Sequence, residues 1–473
     1  MSKKYEINYT VNEHLADTLT PVSIYLKLRD LYPRTLLLES ADFRASQGSF
    51  SYICAGPCAE FTVKDNSLAI KLPDSPPLYD KLSNPLKVPL MLKDFLARFK
   101  LQSKQSTTIP AGLFGYTAFD ALRYFDDFQL QIKDCYTAPI PEIHYALYRY
   151  IIAVDHYRNR LYLATLEIDG NPDQPLLLPS FESLKFSPLS APSEFTTDGE
   201  LKSNMTDEQF IECVKTCKKH IQRGDVFQIV PSRRFYQSYR GDDFNVYRQL
   251  RSINPSPYLF YFDCGDYKIF GSSPEAQLKV SDGVARLYPI AGTYKRSGNE
   301  EQDLQSARRL RDDPKENSEH VMLVDLARND LSRHCSNVTV EAYKEIQLFS
   351  HVIHLTSRVS GTLHEKTGAV DLLVDTFPMG TLSGAPKRKA IELLSCYEPD
   401  RRMTYGGAIG FLGFDGSCNH AIIIRSFLCR DRILHFQAGA GIVADSNPQS
   451  ELAEINNKSG ALRQAIINAM GAN

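Results

Sequence analysis

Two short runs of the sequence place carboxylates at the spacing of one helix face. Glu316 and Glu319 lie three residues apart, and Glu451, Glu454 and Lys458 follow one another at intervals of three and four. Residues at these separations are neighbours on a helix surface. Mg²⁺ takes one or two carboxylates and completes its shell with water and substrate oxygens. The spacing therefore predicts two helices that aim carboxylates at one metal ion. Two solvated acidic faces are the alternative, which spacing alone favours.

Other polar groups fall in predicted strands and turns. Arg425 lies in the apolar run Ala421–Leu428, where a guanidinium needs a partner and can hold a carboxylate through two hydrogen bonds. The turn Gly439–Gly441 offers backbone N–H groups that can cradle an anion. His354 lies in the predicted strand His351–Val359. For each feature a structural role stays open: an internal ion pair, a tight turn or a buried histidine.

Two glycine-rich segments resemble nucleotide-binding loops without meeting their requirements. Gly439–Ala444 has the glycine spacing of a dinucleotide loop, but too little chain follows it for a βαβ unit with its later acidic residue. Gly380–Lys387 lacks the Gly-Lys-Ser/Thr ending of a phosphate loop. The sequence therefore argues against an NAD-binding enzyme and against a P-loop NTPase.

Helices and strands that do not alternate regularly must position these groups. Periodicity predicts helices near 314–332, 385–394 and 448–470. Apolar runs predict strands at 227–230, 258–262, 267–270, 351–359, 408–411, 421–428 and 433–438. This order disfavours a parallel doubly wound sheet. It favours an α+β fold in which antiparallel β-sheets pack face to face and are covered by helices.

The first part of the chain reads as a separate, strand-rich region. It has predicted strands at 35–40, 50–55 and 60–63, a helix at 88–99 and a hairpin at 145–166. A polar, proline-rich stretch, Phe186–Asn204, predicts a linker. A capping box of Thr206 and Gln209 then starts a helix that ends at Gly224. The predicted division is an N-terminal region, 1–190, and a catalytic domain, 205–473.

Composition limits the function classes further. The 473 residues carry a net charge of −2, which gives no general attraction to nucleic acid or an anionic membrane. No apolar segment has the length of a signal peptide or a membrane span. Ten scattered cysteines form no zinc or disulfide framework and predict reduced thiols. A cytoplasmic protein is expected.

Seven segments, in order and spacing, resemble the motifs of the chorismate-utilising enzymes. The segments are Gly224–Ser232, Asn254–Tyr258, Gly271–Glu275, Pro289–Thr293, Glu316–His320, Phe377–Lys387 and Gln437–Ile442, and their order and spacing match across residues 206–473. The N-terminal segments Leu36–Ser40 and Gly112–Tyr116 are similar too, more loosely. The resemblance implies the antiparallel fold of that family and chorismate as substrate.

Two positions separate the activities within this family. Members that add water carry a lysine base where this chain has Gln228, and an amide cannot deprotonate water, so ammonia is the expected nucleophile. The 4-amino-4-deoxychorismate synthases carry a nucleophilic lysine where this chain has Ala291. The resemblance therefore implies conversion of chorismate and ammonia to anthranilate and pyruvate through aminodeoxyisochorismate. A 4-amino-4-deoxychorismate synthase of the folate pathway is the alternative, and a non-catalytic chorismate-binding homologue is a third.

The resemblance also assigns roles to residues. Glu275 matches the general acid that protonates the departing C4 hydroxyl, and His354 matches the histidine of the elimination step. Gln228 and Thr381 complete the implied catalytic set. Mg²⁺ would be held mainly by Glu319 and Glu454, with Glu316 and Glu451 nearby. The implied substrate-binding residues are Ala291, Gly292, Thr293, Tyr405, Arg425, Gly439, Ala440, Gly441 and Lys458.

Regulation and nitrogen supply follow from the same resemblance. The N-terminal Leu-Leu-Glu-Ser segment is similar to a tryptophan feedback site, which implies a tryptophan pocket of Glu39, Ser40, Asn254, Pro255, Pro257, Tyr258 and Leu259. A strand end and a proline-rich turn are the structural alternative. The chain contains no Gly-x-Cys-x-Gly nucleophile segment of a glutaminase. Ammonia is therefore expected from a separate glutamine amidotransferase subunit.

Overall fold

The computed structural model describes residues 3–40, 49–102, 109–131, 133, 137, 139–168, 181–186, 192–348 and 352–471, apart from the side chains of residues 183, 293, 295 and 315. The strands are β1 (Tyr5–Leu15), β2 (Leu36–Glu39), β3 (Phe50–Lys64), β4 (Ser67–Lys71), β5 (Leu78–Lys81), β6 (Phe99–Leu101), β7 (Gly112–Thr117), β8 (Ile143–Asp155), β9 (Arg160–Ile168), β10 (Phe195–Ser203), β11 (Gln228–Ile229), β12 (Ser232–Gly241), β13 (Tyr258–Asp263), β14 (Tyr267–Ser273), β15 (Ala276–Ser281), β16 (Val284–Leu287), β17 (Ile290–Lys295), β18 (Cys335–Leu348), β19 (Val352–Leu363), β20 (Gly384–Ala385), β21 (Ala408–Gly413), β22 (Cys418–Ile422), β23 (Ser426–Arg430) and β24 (Ile433–Gly439).

The helices are α1 (Pro21–Leu28), α2 (Val88–Leu96), α3 (Phe181–Phe186), α4 (Asp207–Gln222), α5 (Phe244–Ile253), α6 (Glu300–Asp312), α7 (Pro314–Ser332), α8 (Ala369–Thr376), α9 (Gly380–Ser383), α10 (Lys387–Tyr397) and α11 (Pro448–Met470). Two 3₁₀ helices cover Pro85–Lys87 and Phe119–Tyr124. Among the described residues, no helix is both long and apolar enough to cross a membrane.

The described strands other than β11 and β20 pair in one extended network, which is antiparallel except for the parallel pair β1–β6. β11 and β20 form a separate two-stranded antiparallel sheet. The pairing runs across the predicted division of the chain, since β2 pairs with β13 and β7 pairs with β21. Residues 187–191 of the predicted linker lie outside the described part. The division at 190 and 205 stays a prediction, and strands from both sides of it share one sheet.

Alternate residues of the central strands pack into two different hydrophobic cores. On β3, Cys54 packs into an inner core between sheet layers, whereas Ile53 and Ala55 pack into an outer core. This follows because successive side chains of a strand point to opposite faces. The outer core is closed by apolar faces of α1, α4, α5 and α11, including Ile24, Val214, Leu250 and Ile455. Antiparallel sheet layers covered by helices were predicted, and this α+β fold class is confirmed.

Local signals located the long helices well. Thr206 Oγ1 accepts a hydrogen bond from the Gln209 amide at 3.2 Å and starts α4 as a capping box. Asn447 accepts hydrogen bonds from the first turn of α11, with Pro448 at the first helical position. The bounds of α7 and α11 match the predicted ranges.

Several predicted strands differ from the observed ones. The runs 50–55 and 60–63 are one strand, β3, joined across a bulge between Pro57 and Ala59. Part of the predicted linker forms β10, a polar edge strand. It buries Phe195 and exposes most of its other residues, so its sequence lacks the alternation of apolar and polar residues that marks a strand. The run 227–230 contributes only the two-residue β11. The predicted helix 385–394 begins later, at Lys387, because Pro386 precedes it in an extended conformation.

Candidate active site

A buried carboxyl group forms the centre of the site. Glu275 lies in the turn between β14 and β15, and burial raises the pKa of its carboxyl from 4.5 to about 7. The Thr381 hydroxyl of α9 donates a 2.9 Å hydrogen bond to Glu275 Oε1 and, with the charges of Lys458 and Arg425, partly opposes that rise in pKa. A carboxyl whose pKa lies near neutrality can donate a proton in a reaction at physiological pH.

A histidine lies opposite a bulge in the neighbouring strand. His354 on β19 donates from Nδ1 to the Gly292 carbonyl oxygen at 2.9 Å, which leaves Nε2 as the ring's acceptor nitrogen. Burial, helped by the nearby Arg425 charge, lowers the pKa of His354 to about 4, so the ring is neutral at pH 7. Gly292 has φ +67°, and a Cβ there would lie 3.0 Å from Glu316 Oε2. The bulge thus brings β17 close to both His354 and Glu316.

Arg425 lies in a break between two strands, which corrects the predicted continuous strand 421–428. β22 ends at Ile422 and β23 begins at Ser426, and Arg425 has a left-handed φ of +48°. Its side chain is half-buried, desolvation lowers the pKa of the guanidinium, and Nη1 donates to Asn254 Oδ1 at 3.4 Å. Because its charge affects the pKa values of both Glu275 and His354, the guanidinium lies where it can hold an anionic substrate between them.

The glycine-rich turn after β24 is packed against its neighbours. The Lys458 ammonium donates to the Gly439 carbonyl oxygen at 3.0 Å, and a Cβ at Gly439 would lie 2.8 Å from the Tyr405 hydroxyl. A Cβ at Gly441 would lie 2.9 Å from Gln228 Nε2, so Gln228 and Gly441 share one wall. These residues with Glu275, Thr381, His354 and Arg425 form what we call the catalytic pocket.

One backbone group of the predicted anion cradle is engaged within the protein. The Ala440 amide donates to the Pro231 carbonyl oxygen at 3.1 Å, so this backbone group is not available to a substrate carboxylate. Ala440 is fully buried, because its backbone lies against the segment that precedes β12. Ala291, also predicted to bind substrate, is buried on β17 beside the Gly292 bulge, and the side chain of Thr293 falls outside the described residues.

The four predicted metal-binding carboxylates lie on α7 and α11 as expected. Glu451 is buried, and Glu454 lies 2.6 Å from Lys458 of the same helix. Within the described parts of the chain, no three His, Cys, Asp or Glu side chains converge closely enough to hold a metal ion by themselves. The donor set is carboxylate oxygen, which Mg²⁺ prefers, and an ion that takes substrate oxygens and water needs fewer protein ligands. The donor chemistry of these carboxylates therefore suits Mg²⁺.

Comparison with known proteins identifies the family. A family model described as chorismate binding enzyme matches residues 5–464. The chain belongs to the chorismate-binding enzymes. Anthranilate synthase component 1 of Aquifex aeolicus is 35% identical over 98% of this chain and 96% of its own length. The corresponding protein of Thermus thermophilus is 36% identical over 96% of each chain.

Solved structures of this family have the same fold. Anthranilate synthase component I from Streptococcus pneumoniae superimposes with a TM-score of 0.73 at 31% identity, covering 95% of this chain and 99% of that chain. The menaquinone-specific isochorismate synthase of Escherichia coli also gives a TM-score of 0.73, covering 98% of this chain and 96% of that chain. At 18% identity, this second likeness shows the fold alone.

This chorismate-binding enzyme also contains a cavity of about 310 Å³ between its N-terminal strands and the catalytic region. Five of the predicted tryptophan-site residues line it: Glu39, Ser40, Pro257, Tyr258 and Leu259. Asn254 and Pro255 are not among its lining residues, because Asn254 caps α5 and its side chain turns toward Arg425. We call this space the N-terminal cavity.

The N-terminal cavity has lining residues that sequence reasoning missed. They come from β3, β15, β21 and β22 and include Tyr52, Lys279, Phe411 and Asn419. The Lys279 ammonium lies 5.3 Å from the Tyr258 ring centroid. Sequence reasoning also missed the buried pair Glu398–Arg402, which lies in the segment after α10, where helical spacing gives no signal.

Proposed function

We propose that the protein is the large subunit of an anthranilate synthase, which converts chorismate and ammonia to anthranilate and pyruvate. The observation that carries this proposal is the wall formed by Gln228 and Gly441 in the pocket of the Glu275 acid. An amide at this position cannot serve as the base that activates water, whereas ammonia is already a nucleophile. The nearly full-length relatives named anthranilate synthase component 1 support the same activity.

The residues divide the reaction into two steps. The protonated Glu275 carboxyl donates its proton to the C4 hydroxyl, which leaves as water while ammonia adds at C2 to give aminodeoxyisochorismate. Pyruvate is then eliminated and the ring becomes aromatic, which requires loss of the C2 proton. His354 serves this elimination, and its neutral ring presents Nε2 as the acceptor because Nδ1 donates to Gly292. Arg425, Tyr405 and Lys458 bind and orient the carboxylates of the substrate.

Mg²⁺ completes the proposed site. Glu319 and Glu454 would hold it, with Glu316 and Glu451 as nearby or water-mediated ligands. When bound to the ring carboxylate, the ion supplies electron withdrawal from the ring. Glu454 also pairs with Lys458 of the same helix at 2.6 Å.

We further propose a cytoplasmic glutamine amidotransferase subunit as the source of ammonia. The component naming of the relatives and the missing Gly-x-Cys-x-Gly segment support this proposal. With glutamine as the nitrogen source, the isolated chain should be inactive until that subunit is added. With ammonium salt it should be active alone. Glutamine-dependent activity of the pure chain would contradict the proposal that a separate subunit supplies the ammonia.

The N-terminal cavity is the proposed tryptophan feedback site. Glu39 offers a carboxylate for the amino group of the ligand, and Lys279 offers a positive charge for its carboxylate. Pro257 and Tyr258 supply apolar and aromatic surface for an indole ring. Tryptophan would favour a conformation that binds chorismate poorly, and by reciprocity chorismate would weaken tryptophan binding by the same factor.

One experiment tests the proposed activity directly. The purified chain is incubated with chorismate, Mg²⁺ and ammonium at alkaline pH, and the products are followed by fluorescence and mass. Anthranilate and pyruvate are expected. Accumulation of 4-amino-4-deoxychorismate would establish the alternative activity, and unchanged chorismate would indicate a non-catalytic binding protein.

A further inference from the structure

A buried arginine outside the predicted catalytic set touches three walls of the catalytic pocket. Arg402 is 3% exposed, and its guanidinium donates from Nε and Nη2 to the two carboxylate oxygens of Glu398 at 2.7 and 2.6 Å. It stacks over Phe119 with 4.6 Å between the guanidinium carbon and the ring centroid. A paired, bidentate contact of this kind is geometrically specific.

The remaining donors of Arg402 reach two backbone carbonyls. Nη1 donates to the Leu382 oxygen and Nη2 to the Val230 oxygen, each at 2.6 Å. Leu382 directly follows Thr381, the partner of Glu275, and Val230 lies two residues after Gln228. Both contacts therefore end next to residues that form the catalytic pocket.

The same network reaches the third wall. Tyr405 lies three residues after Arg402, and its ring centroid is 5.7 Å from the guanidinium carbon. Glu398 Oε1 also accepts hydrogen bonds from the Ser232 amide at 2.8 Å and its hydroxyl at 2.6 Å. Ser232 pairs with Gly439, the glycine beside the Tyr405 hydroxyl.

We infer that Arg402, held by Glu398, is a positioning residue that fixes the Thr381, Gln228 and Tyr405 walls as one rigid frame around the substrate. This deepens the proposed function on which it rests. Only a planar guanidinium can span these acceptors, because its donors are held in a fixed fork, whereas the lysine ammonium is a compact point charge on a flexible stem. Arg402 does not touch the reacting atoms and acts through its three neighbours.

The role has a kinetic consequence that a purely structural role lacks. If the Leu382 carbonyl is released, Thr381 no longer holds its hydroxyl against Glu275, and loss of that hydrogen bond raises the pKa of the carboxyl further. The pH at which activity falls should then move upward. Looser walls should also lower kcat by about 10- to 100-fold, because small misplacements of a reacting geometry have effects of this size.

The test uses Arg402→Lys, Arg402→Met and Glu398→Gln, with Lys268→Met as the control. Lys268 forms a partly buried ion pair with Asp243 at 3.0 Å, which involves none of the pocket residues. We expect every variant to melt at a lower temperature. Only the Arg402 and Glu398 variants should show a lower kcat and a shift in the pH above which activity falls. We expect Arg402→Lys combined with Thr381→Val to shift the limb no further than Thr381→Val alone, since both remove one hydrogen bond.

Each outcome decides the inference. Wild-type kcat, KM and pH limb in any soluble, cooperatively melting Arg402 variant would overturn it, as would full additivity with Thr381→Val. Insolubility of all three network variants would also overturn it, because the pair would then support the whole fold rather than the pocket. If the wild-type enzyme makes a chorismate product other than anthranilate, the proposed function fails, and the same variants are compared on that product.

Discussion

The catalytic pocket and the N-terminal cavity are built in opposite ways. In the catalytic pocket the functional groups hold one another, as Thr381 holds Glu275 and Lys458 holds both Gly439 and Glu454. In the N-terminal cavity about 310 Å³ stays open, and Glu39 is held from behind by Tyr247 at 2.6 Å and Arg251 at 3.0 Å. This difference fits the proposed roles, because chemistry needs fixed geometry whereas a feedback site needs open space for a ligand.

The two sites should therefore respond separately to substitution. Changes in the catalytic pocket should remove turnover and leave tryptophan binding intact, and changes in the N-terminal cavity should do the reverse. The chain contains no tryptophan, so the fluorescence of added tryptophan, excited at a wavelength that the 25 tyrosines do not absorb, reports its binding. This readout can be combined with anthranilate formation in every variant below.

The largest expected effect concerns the metal-binding carboxylates. Glu319→Gln or Glu454→Gln should abolish turnover, because each removes an anionic oxygen ligand from a hard cation. Tryptophan binding should stay at the wild-type level. Glu300→Gln, on the exposed acidic start of α6, is the matched control and should keep full activity. Full activity of Glu319→Gln or of Glu454→Gln would refute the metal assignment.

Removing the acid should have the next largest effect. Glu275→Gln keeps the shape of the side chain but cannot donate the proton, so kcat should fall by roughly 10²- to 10⁴-fold. Anthranilate formation at saturating chorismate and ammonia measures this, and tryptophan binding checks the fold. An unchanged kcat would mean that the C4 hydroxyl receives its proton elsewhere.

The histidine should affect only one of the two steps. His354→Met should still consume chorismate but accumulate aminodeoxyisochorismate, because the group that serves elimination is gone. Mass analysis of quenched reactions detects the intermediate. The assignment is refuted by a wild-type anthranilate yield without a trace of intermediate.

A smaller effect is expected from pH. Activity requires the protonated Glu275 carboxyl, whose pKa is raised to about 7, so its contribution is present below pH 7 and is lost above it. At a constant concentration of free NH₃, kcat/KM for chorismate should fall about tenfold per pH unit above that value. At constant total ammonium the rising NH₃ fraction should offset this loss. A fall in kcat/KM that begins near pH 4.5 would show that burial does not raise the pKa of the Glu275 carboxyl.

The smallest effect on turnover is expected in the N-terminal cavity. Ser40→Phe should fill part of the cavity and give an active enzyme that millimolar tryptophan no longer inhibits. Ser40→Ala, which removes the hydroxyl without adding bulk, separates the loss of a hydrogen bond from steric exclusion and should weaken inhibition less. If Ser40→Phe stays as inhibitable as wild type, the cavity is not the feedback site, and the catalytic assignments are unaffected.

Prediction from the sequence was most successful where the signal was local. The capping box at Thr206 and the Asn447–Pro448 start of α11 depend on residues within one helical turn, and both helices were located correctly. Prediction failed at β10, whose polar edge has no alternation, and at Arg425, whose left-handed backbone interrupts an apolar run. In both cases strand pairing, rather than local propensity, decides the conformation.

The sequence by itself determined which residues are candidates for the chemistry, because the motif positions and the three- and four-residue helical spacings are properties of the chain. Only the tertiary structure decided their environment. It places Thr381 against Glu275 and Gln228 against Gly441, and it joins Glu39 to Tyr258 in one cavity. It also removes water from Glu275 and so raises the pKa of that carboxyl to about 7. Burial and strand register depend on many contacts between residues that are distant in sequence, and local spacing does not encode such contacts.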